Sequence, residues 1–253
     1  MTSPVLHHLL PLVAAGLLSG TMNAVAGGGS FVSFPVLVVA GLPPIAANAT
    51  STVALFPGTL ASTWAYRHDL TGIGGISLRV LLPISVAGGL VGAILLLVTP
   101  GGVFDKVIPW LLLLATLTFI GGRRPGIWLH RYVHIGRAPL LVAQFILAIY
   151  GGYFGGAVGL MMMAVWTLLD TAELHAMAGA RTLLVSTANG IAVLCFAIAG
   201  AVWWPETLAM MASAIAGGYY GARLARHLPP PVLRAFVVVL SATVTVEFFL
   251  KSY

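Results

Sequence analysis

Polar side chains and glycines interrupt several apolar runs of this sequence, and these positions can offer hydrogen-bond donors to a bound ligand. The free N–H groups at a helix N-terminus supply donors together with positive potential. An arginine adds a fork that donates two parallel, charge-assisted hydrogen bonds. The candidate substrate-binding residues are Asn23, Gly27, Gly28, Gly29, Ser30, Asn48, Thr50, Ser51, Gly156, Gly159, Arg181 and Thr182.

The triple glycine 27–29 is the feature that a helix tolerates least, since each glycine costs roughly 1 kcal/mol relative to alanine. It predicts the end of one helix and the start of another, with backbone donors exposed at Gly27, Gly28, Gly29 and Ser30. The alternative is a structural kink that lets two helices approach closely.

Arg181 lies a few residues inside an apolar run, where a charge is costly unless it faces a cavity or a partner. Contact with an anion is one interpretation; snorkelling to the interface, or pairing with Asp170 or Glu173, is the other. His175 is a candidate for proton coupling, with a capping or surface role as the alternative. For the amide and hydroxyl side chains, helix caps and interhelical hydrogen bonds are the alternatives.

The composition identifies the elements that must position these residues. Of 253 residues, 59% are hydrophobic and 7% are charged, against about 25% charged in soluble domains. The mean hydropathy is +1.03. We therefore predict an all-α polytopic membrane protein, because the apolar runs suit helices that cross a ~30 Å hydrocarbon core. The net charge of +6 lies in short loops and reports orientation, so nucleic acid is not expected as a partner.

Six runs predict single spans, at about 45–66, 77–98, 106–122, 177–200, 203–222 and 232–250. The blocks 9–42 and 138–172 do not fit one span each. Both contain glycines near the middle and a second segment, 31–42 or 160–171, that is too short to cross fully. We interpret each block as a broken or re-entrant helix hairpin.

The basic residues predict the orientation of these helices. Nine of the twelve Lys and Arg residues lie in the loops after residues 66, 122 and 222, which we assign to the cytoplasm. The count of crossings then places both termini on the non-cytoplasmic side of a bacterial inner membrane.

An internal repeat divides the chain. The segment AGGLVGA at 87–93 is similar to AGGYYGA at 216–222, and a spacing of 131 residues relates Gly28 to Gly159 and Thr50 to Arg181. The loop charges give the two copies opposite directions, which is typical of transporters. We predict an N-terminal repeat at 1–122, a basic cytoplasmic linker at 123–137 and a C-terminal repeat at 138–253, each repeat with four helices. Recurrence of small residues at helix contacts is the alternative.

The stretch GLLSGTMNAVAGGGSFVSFPVLVVAGLPPIAANATST, with a diverged second copy, resembles the sulfite exporter TauE/SafE family, also called the 4-toluenesulfonate uptake permease family. Its most specific parts are GGGSFVSFPVL and ANATST, and the second copy, GGAVGLMMMAVW, has neither the triple glycine nor the proline. The resemblance covers nearly the whole chain. It implies a four-plus-four helix duplication and transport of sulfite or organosulfonate-type anions.

The function predicted on this basis is a secondary transporter that works by alternating access between the two repeats. A passive anion channel, a transporter of small carboxylates and an intramembrane enzyme remain alternatives. No catalytic motif is found, so we expect no enzyme activity, and we expect no cofactor and no metal. The expected partners are a small anion and the lipid bilayer, and a homodimer stays open.

Overall fold

The structure is a computed structural model that describes residues 4–26, 28–68, 70–122, 124–130, 132, 136–168, 174–225 and 230–252. These residues form eleven helices, and the described part contains no strand beyond one isolated bridge between Ile73 and Ile76. The helices are α1 (Pro4–Ala26), α2 (Ser30–Val39), α3 (Pro44–Ala65), α4 (Leu78–Val98), α5 (Gly101–Gly121), α6 (Arg124–His130), α7 (Arg137–Tyr153), α8 (Val158–Trp166), α9 (Leu174–Ile198), α10 (Trp204–Ala225) and α11 (Pro230–Ser252).

The predicted helices are found close to their predicted positions. Each of the six runs expected to span the membrane coincides with one of the helices α3, α4, α5, α9, α10 and α11. By length and composition, four segments of the described part are suited to cross a membrane: Leu78–Val98, Gly101–Gly121, Gly179–Ile198 and Ala235–Ser252. Helix α3 has 22 residues but carries Asn48 and six Ser or Thr side chains, and it is not among the four.

Both long blocks are broken helices, as their glycines indicate. Helix α1 ends at Ala26 and α2 begins at Ser30; α7 ends at Tyr153 and α8 begins at Val158. The second helix of each pair, with 10 residues in α2 and 9 in α8, is shorter than the predicted segments 31–42 and 160–171. Backbone without helical bonding is tolerated at membrane depth only inside the protein or beside water.

The helices pack in a pattern that crosses between the two ends of the chain. Helix α1 runs along α10, and α4 runs along α7 and α9. Helix α3 contacts α9 and α10, while α5 contacts α11. The first half of the chain is therefore packed mainly through contacts with the second half.

Glycines allow the closest of these helix contacts. A Cβ atom at Gly20 of α1 would overlap the carbonyl of Ala214 in α10, and one at Gly92 of α4 would overlap the carbonyl of Ile149 in α7. Small residues at helix contacts let backbones approach in membrane proteins, where apolar burial gives little drive for association.

An aromatic cluster in the core packs next to the two helix breaks. Phe34 of α2 lies 6.0 Å from Phe154 and 5.4 Å from Phe248, measured between ring centroids. Phe31 lies 5.4 Å from Phe119 in an edge-to-face arrangement. These rings join α2, α5, α11 and the break after α7, so the break is held by packing from both halves.

The helix contact at Gly92 can be tested by adding one methyl group. Gly92→Ala should lower the melting temperature in detergent, since overpacking costs about 1–3 kcal/mol and exceeds the gain of at most about 1 kcal/mol in helix propensity. Gly102→Ala is the matched control, because a Cβ there meets nothing within 4 Å. Equal melting temperatures for the two variants would contradict the close α4–α7 contact.

Candidate functional site

A partly open cavity lies where α1, α2, α3, α8 and α9 meet. The empty space inside it, counted together with the open mouth, is about 820 Å³. The polar lining residues are Asn23, Ser30, Ser51, Thr52, Thr59, Ser62, Arg181, Thr182 and Asn189. The cavity also has apolar walls, to which Leu55, Phe154, Val158, Leu160 and Val185 contribute.

Helices α3 and α9 supply most of the polar lining. On α3, Ser51, Leu55, Thr59 and Ser62 follow one another at helical spacing and share a face. Ser186 of α9 donates a hydrogen bond to the carbonyl of Thr59 at 3.0 Å, and its hydroxyl lies 2.8 Å from that of Thr63. These bonds fasten the two helices together along the cavity.

Arg181 is the only charged side chain among the described residues that line the cavity. Its Cγ and Cδ atoms lie 3.1 and 3.0 Å from the point that a Cβ atom at residue 159 would occupy. Its Nη1 lies 3.8 Å from the sulfur of Met163. Glycine at position 159 thus leaves the space that the apolar part of the arginine side chain fills, and this fixes its course across α8.

The structure brings half of the predicted substrate-binding residues to this cavity. Those that line it are Asn23, Ser30, Ser51, Gly159, Arg181 and Thr182. Those that do not line it are Gly28, Gly29, Asn48, Thr50 and Gly156. Gly27 lies outside the described residues, as does the side chain of His175, whose backbone belongs to the first turn of α9.

Asn48 and Thr50 are directed to other partners, which explains their distance from the cavity lining. The Asn48 amide donates to the carbonyl of Tyr153 at 2.8 Å. The Thr50 hydroxyl accepts a hydrogen bond from the backbone N–H of Trp203 at 3.1 Å. Both side chains are buried. They connect α3 to the second half of the chain, a role close to the interhelical hydrogen bonds that were the alternative interpretation.

Glycine is required at positions 28 and 29 because neighbouring atoms leave no room for a side chain, and not because these positions line the cavity. A Cβ atom at Gly28 would lie 2.7 Å from Cζ of Phe119, and one at Gly29 would overlap the carbonyl of Ser19. Gly29 has a φ of −57°, which any residue can adopt. Within the described part of this break, close packing is therefore the requirement, and Ser30 is the position that reaches the cavity.

The second break uses residues that the comparison of the two copies did not single out. Gly155 has a φ of +78°, and Ala157, which caps α8, has a φ of +58°. The Tyr150 hydroxyl donates to the carbonyl of Gly156 at 2.9 Å. Phe154 and Gly155 line the cavity, so the segment between α7 and α8 forms part of its wall.

Several lining residues were missed from the sequence: Thr52, Thr59, Ser62 and Asn189. A signal for the α3 residues was present in the helical spacing of Ser51, Thr59 and Ser62. Asn189 is an amide inside a long apolar run, the kind of intramembrane polar residue that points to a function. No group of three or more His, Cys, Asp or Glu side chains that could hold a metal ion occurs in the described part of the chain.

Comparison with known proteins places the chain in a family. Residues 12–248 match the family model described as "Sulfite exporter TauE/SafE". The chain is 26% identical over 254 residues, covering 100% of the chain and 93% of the relative, to the "Probable membrane transporter protein YfcA" of Escherichia coli K12.

Two further relatives are also named as probable membrane transporters. The "Probable membrane transporter protein ORF9" of Sinorhizobium sp. is 28% identical over 248 residues, covering 95% of this chain and 92% of the relative. A "Probable membrane transporter protein" of Haemophilus influenzae is 28% identical over 245 residues, covering 93% and 92%. No solved structure gives a significant match. With a match from residue 12 to residue 248, the chain belongs to the TauE/SafE sulfite exporter family.

Proposed function

We propose that this protein is a secondary transporter of the cytoplasmic membrane that moves sulfite, an organosulfonate or a related small anion. The observation that carries the proposal is the cavity with Arg181 as its only charged lining residue in the described part, surrounded by hydroxyl and amide groups. Family membership and relatives named as probable membrane transporters support it. The protein is a carrier rather than an enzyme.

The chemistry of Arg181 suits an oxyanion in a site with little water. A guanidinium stays charged in such a site and can donate two parallel N–H groups to two oxygens of one sulfonate. Hydroxyl groups of Ser30, Ser51 and Thr182 line the same cavity and can donate to the remaining oxygens. The apolar walls strengthen these interactions by excluding water.

Inverted repeats give such a site a way to face both sides, and the helix contacts support this organisation. If α1 to α5 correspond to α7 to α11 in order, the α1–α10 contact corresponds to the α7–α4 contact. The α3–α10 contact corresponds in the same way to α9–α4, and the α3–α9 and α5–α11 pairs correspond to themselves. Two copies that interlock by such exchange can interchange conformations, which produces alternating access.

The arginine-rich loops support a direction for the proposed carrier in which both termini lie on the non-cytoplasmic side. The cavity residues of α3 lie towards its C-terminal end and those of α9 towards its N-terminal half, which are then the cytoplasmic ends. On the other side, hydrogen bonds from Asn48 to Tyr153 and from Trp203 to Thr50 join the halves. We infer that the structure is an inward-facing state with these two bonds closing the outer side. A passive channel would need no such closure.

The orientation can be tested with single cysteines in a Cys195→Ser background. Tyr132 lies in the basic linker and is 70% exposed, whereas Gly102 begins the opposite end of α5 in open space. In intact cells, an impermeant maleimide should label Gly102→Cys and should label Tyr132→Cys only after permeabilisation. The reverse pattern would overturn the orientation. Equal labelling of the two cysteines would place them on the same side of the membrane and would contradict an odd number of crossings between residues 102 and 132.

The role of Arg181 can be tested by removing the charge and by keeping it. Loss of a charged hydrogen bond costs about 1.5–3 kcal/mol, so Arg181→Gln should weaken anion binding roughly ten- to hundredfold, measured by calorimetry and by flux in proteoliposomes. Arg181→Lys should retain part of the binding, because the charge remains and the fork is lost. Arg79→Gln, at an exposed position, is the control.

This assignment would be contradicted if Arg181→Gln bound and transported the anion as well as the wild-type protein does. A small carboxylate that binds better than every sulfonate and sulfite would leave the carrier in place and change its substrate class.

The outer closure can be tested by removing one acceptor. Thr50→Val leaves the Trp203 N–H without its partner, which should weaken the closed outer side by about 1 kcal/mol. A cysteine at Thr52, in the cavity lining, should then react several-fold faster with an impermeant thiol reagent added from outside. Thr118→Val is the control, because that hydroxyl bonds only within its own helix. An unchanged rate in Thr50→Val would remove this bond from the closure.

A further inference from the structure

Asn189 is a partly buried amide on the cavity wall whose side-chain oxygen has no hydrogen-bond partner in the described structure. Its Oδ1 atom is inaccessible to solvent and makes no hydrogen bond among the described residues. The residue lines the cavity, and its Oδ1 lies 3.9 Å from the point that a Cβ atom at Gly155 would occupy. Buried polar groups are nearly always paired, and an exception calls for an explanation such as a water molecule or a ligand.

Asn189 lies two helical turns beyond Arg181 on the same helix. Eight residues at ~1.5 Å each separate their Cα atoms by about 12 Å along α9. Val185 lies between them on the cavity wall, and Leu55 and Val158 line the cavity as well. Along α9, the cavity wall is therefore charged at Arg181, apolar at Val185 and polar at Asn189.

We propose that Asn189 is a second ligand-binding point that recognises a hydrogen-bonding group at the far end of an elongated monoanion. The ligand carries one anionic oxyacid group at Arg181, a short apolar spacer and a terminal hydroxyl or similar group at Asn189. This inference rests on the proposed function of the same cavity. Arg181, the single cationic lining residue in the described part, can serve one anionic group, and a bare inorganic oxyanion bound there does not reach Asn189.

The physical basis is the difference between a replaced and an unreplaced hydrogen bond. A ligand that displaces the water at a buried amide without offering a partner loses affinity. A hydroxyl is a partner in either orientation of the amide, because it both donates and accepts. A ligand with a hydroxyl at the right distance should therefore bind more tightly than its unsubstituted counterpart, whereas at other lengths the hydroxyl is buried without a partner.

The test uses the purified full chain in detergent and two series of probes. The first series is the linear alkanesulfonates with two to six carbons, and the second is the same compounds with a terminal hydroxyl. Affinities are measured by calorimetry. Within this range, one chain length should show a gain of about tenfold from the hydroxyl, the usual size for one hydrogen bond, and shorter and longer members should show a loss.

Variants separate Asn189 from the rest of the cavity. Asn189→Leu should abolish the gain at the optimal length, so that the hydroxylated sulfonate binds no more tightly than its unsubstituted counterpart. Thr187→Val, two residues away with a hydroxyl bonded to the carbonyl of Leu183 within α9, should preserve the gain. If Asn189→Leu does not fold, Asn189→Ala takes its place with the same expected loss of the gain, and a wild-type series without an optimum in length also overturns the inference.

The outcomes distinguish this inference from the proposed function. If unsubstituted sulfonates bind, Arg181→Gln weakens them and the hydroxyl gives no length-dependent gain, Asn189 is not a ligand-binding point and the anion carrier stands. If the gain persists in Asn189→Leu, another residue recognises the hydroxyl and the inference is overturned. If no anion of either series, nor sulfite, binds the folded protein, the proposed function fails and this inference fails with it.

Discussion

The constraint on which this structure depends is that backbone polar groups at membrane depth need partners inside the protein. Both helix breaks meet it with side chains from nearby turns or from the other half. Asn48 donates to the carbonyl of Tyr153, the last residue of α7, and Tyr150 donates to that of Gly156. In the first break, the Ser33 hydroxyl donates to the carbonyl of Gly29 at 3.2 Å. Among the described residues, the carbonyls of Gly29, Tyr153 and Gly156 at the breaks therefore have side-chain partners, and the breaks depend on those partners.

The position of the cavity follows from the breaks. Two short helices, α2 and α8, begin beside it and contribute Ser30, Val158 and Gly159 to its wall. A continuous helix in either block would fill this space with its own backbone and side chains. The absence of a side chain at Gly159 leaves room for Arg181, so the break and the charged residue belong to one arrangement.

The sequence predicts the helices and the breaks well because hydrophobic run length and glycine position determine them directly. The sequence also singles out Arg181 as a candidate site residue, because a charge in an apolar run is costly unless it faces a cavity or a partner. Rotation of a helix about its axis is different. In α3, polar residues occupy several faces, and Asn48, Thr50 and Ser51 cannot be assigned to the cavity or to a neighbour without the packing of α7 and α10.

The second break shows a further limit of reasoning from a repeat. Equivalence with Gly28 singled out Gly159, but the positive φ angles occur at Gly155 and Ala157. An alanine in the left-handed region costs energy that glycine would not, so no residue preference marks this position. Asn189 was missed for the opposite reason. It is one amide among small and apolar residues, and only the folded structure places it on the cavity wall beyond Val185 and Arg181.

The two halves differ in charge, and this difference bears on the proposed carrier cycle. Position 181 carries an arginine, and position 50, which the proposed repeat makes its equivalent, carries a threonine bonded to the opposite half. In the proposed carrier, any state closed on both sides would remove water from the cavity that Arg181 lines. Enclosing a charge in a dry site is costly, and a bound anion would offset that cost through charge-assisted hydrogen bonds. The loaded cavity of the proposed cycle would therefore close more readily than the empty one, and passage through the closed state would depend on the anion, which does not hold for a continuous pore.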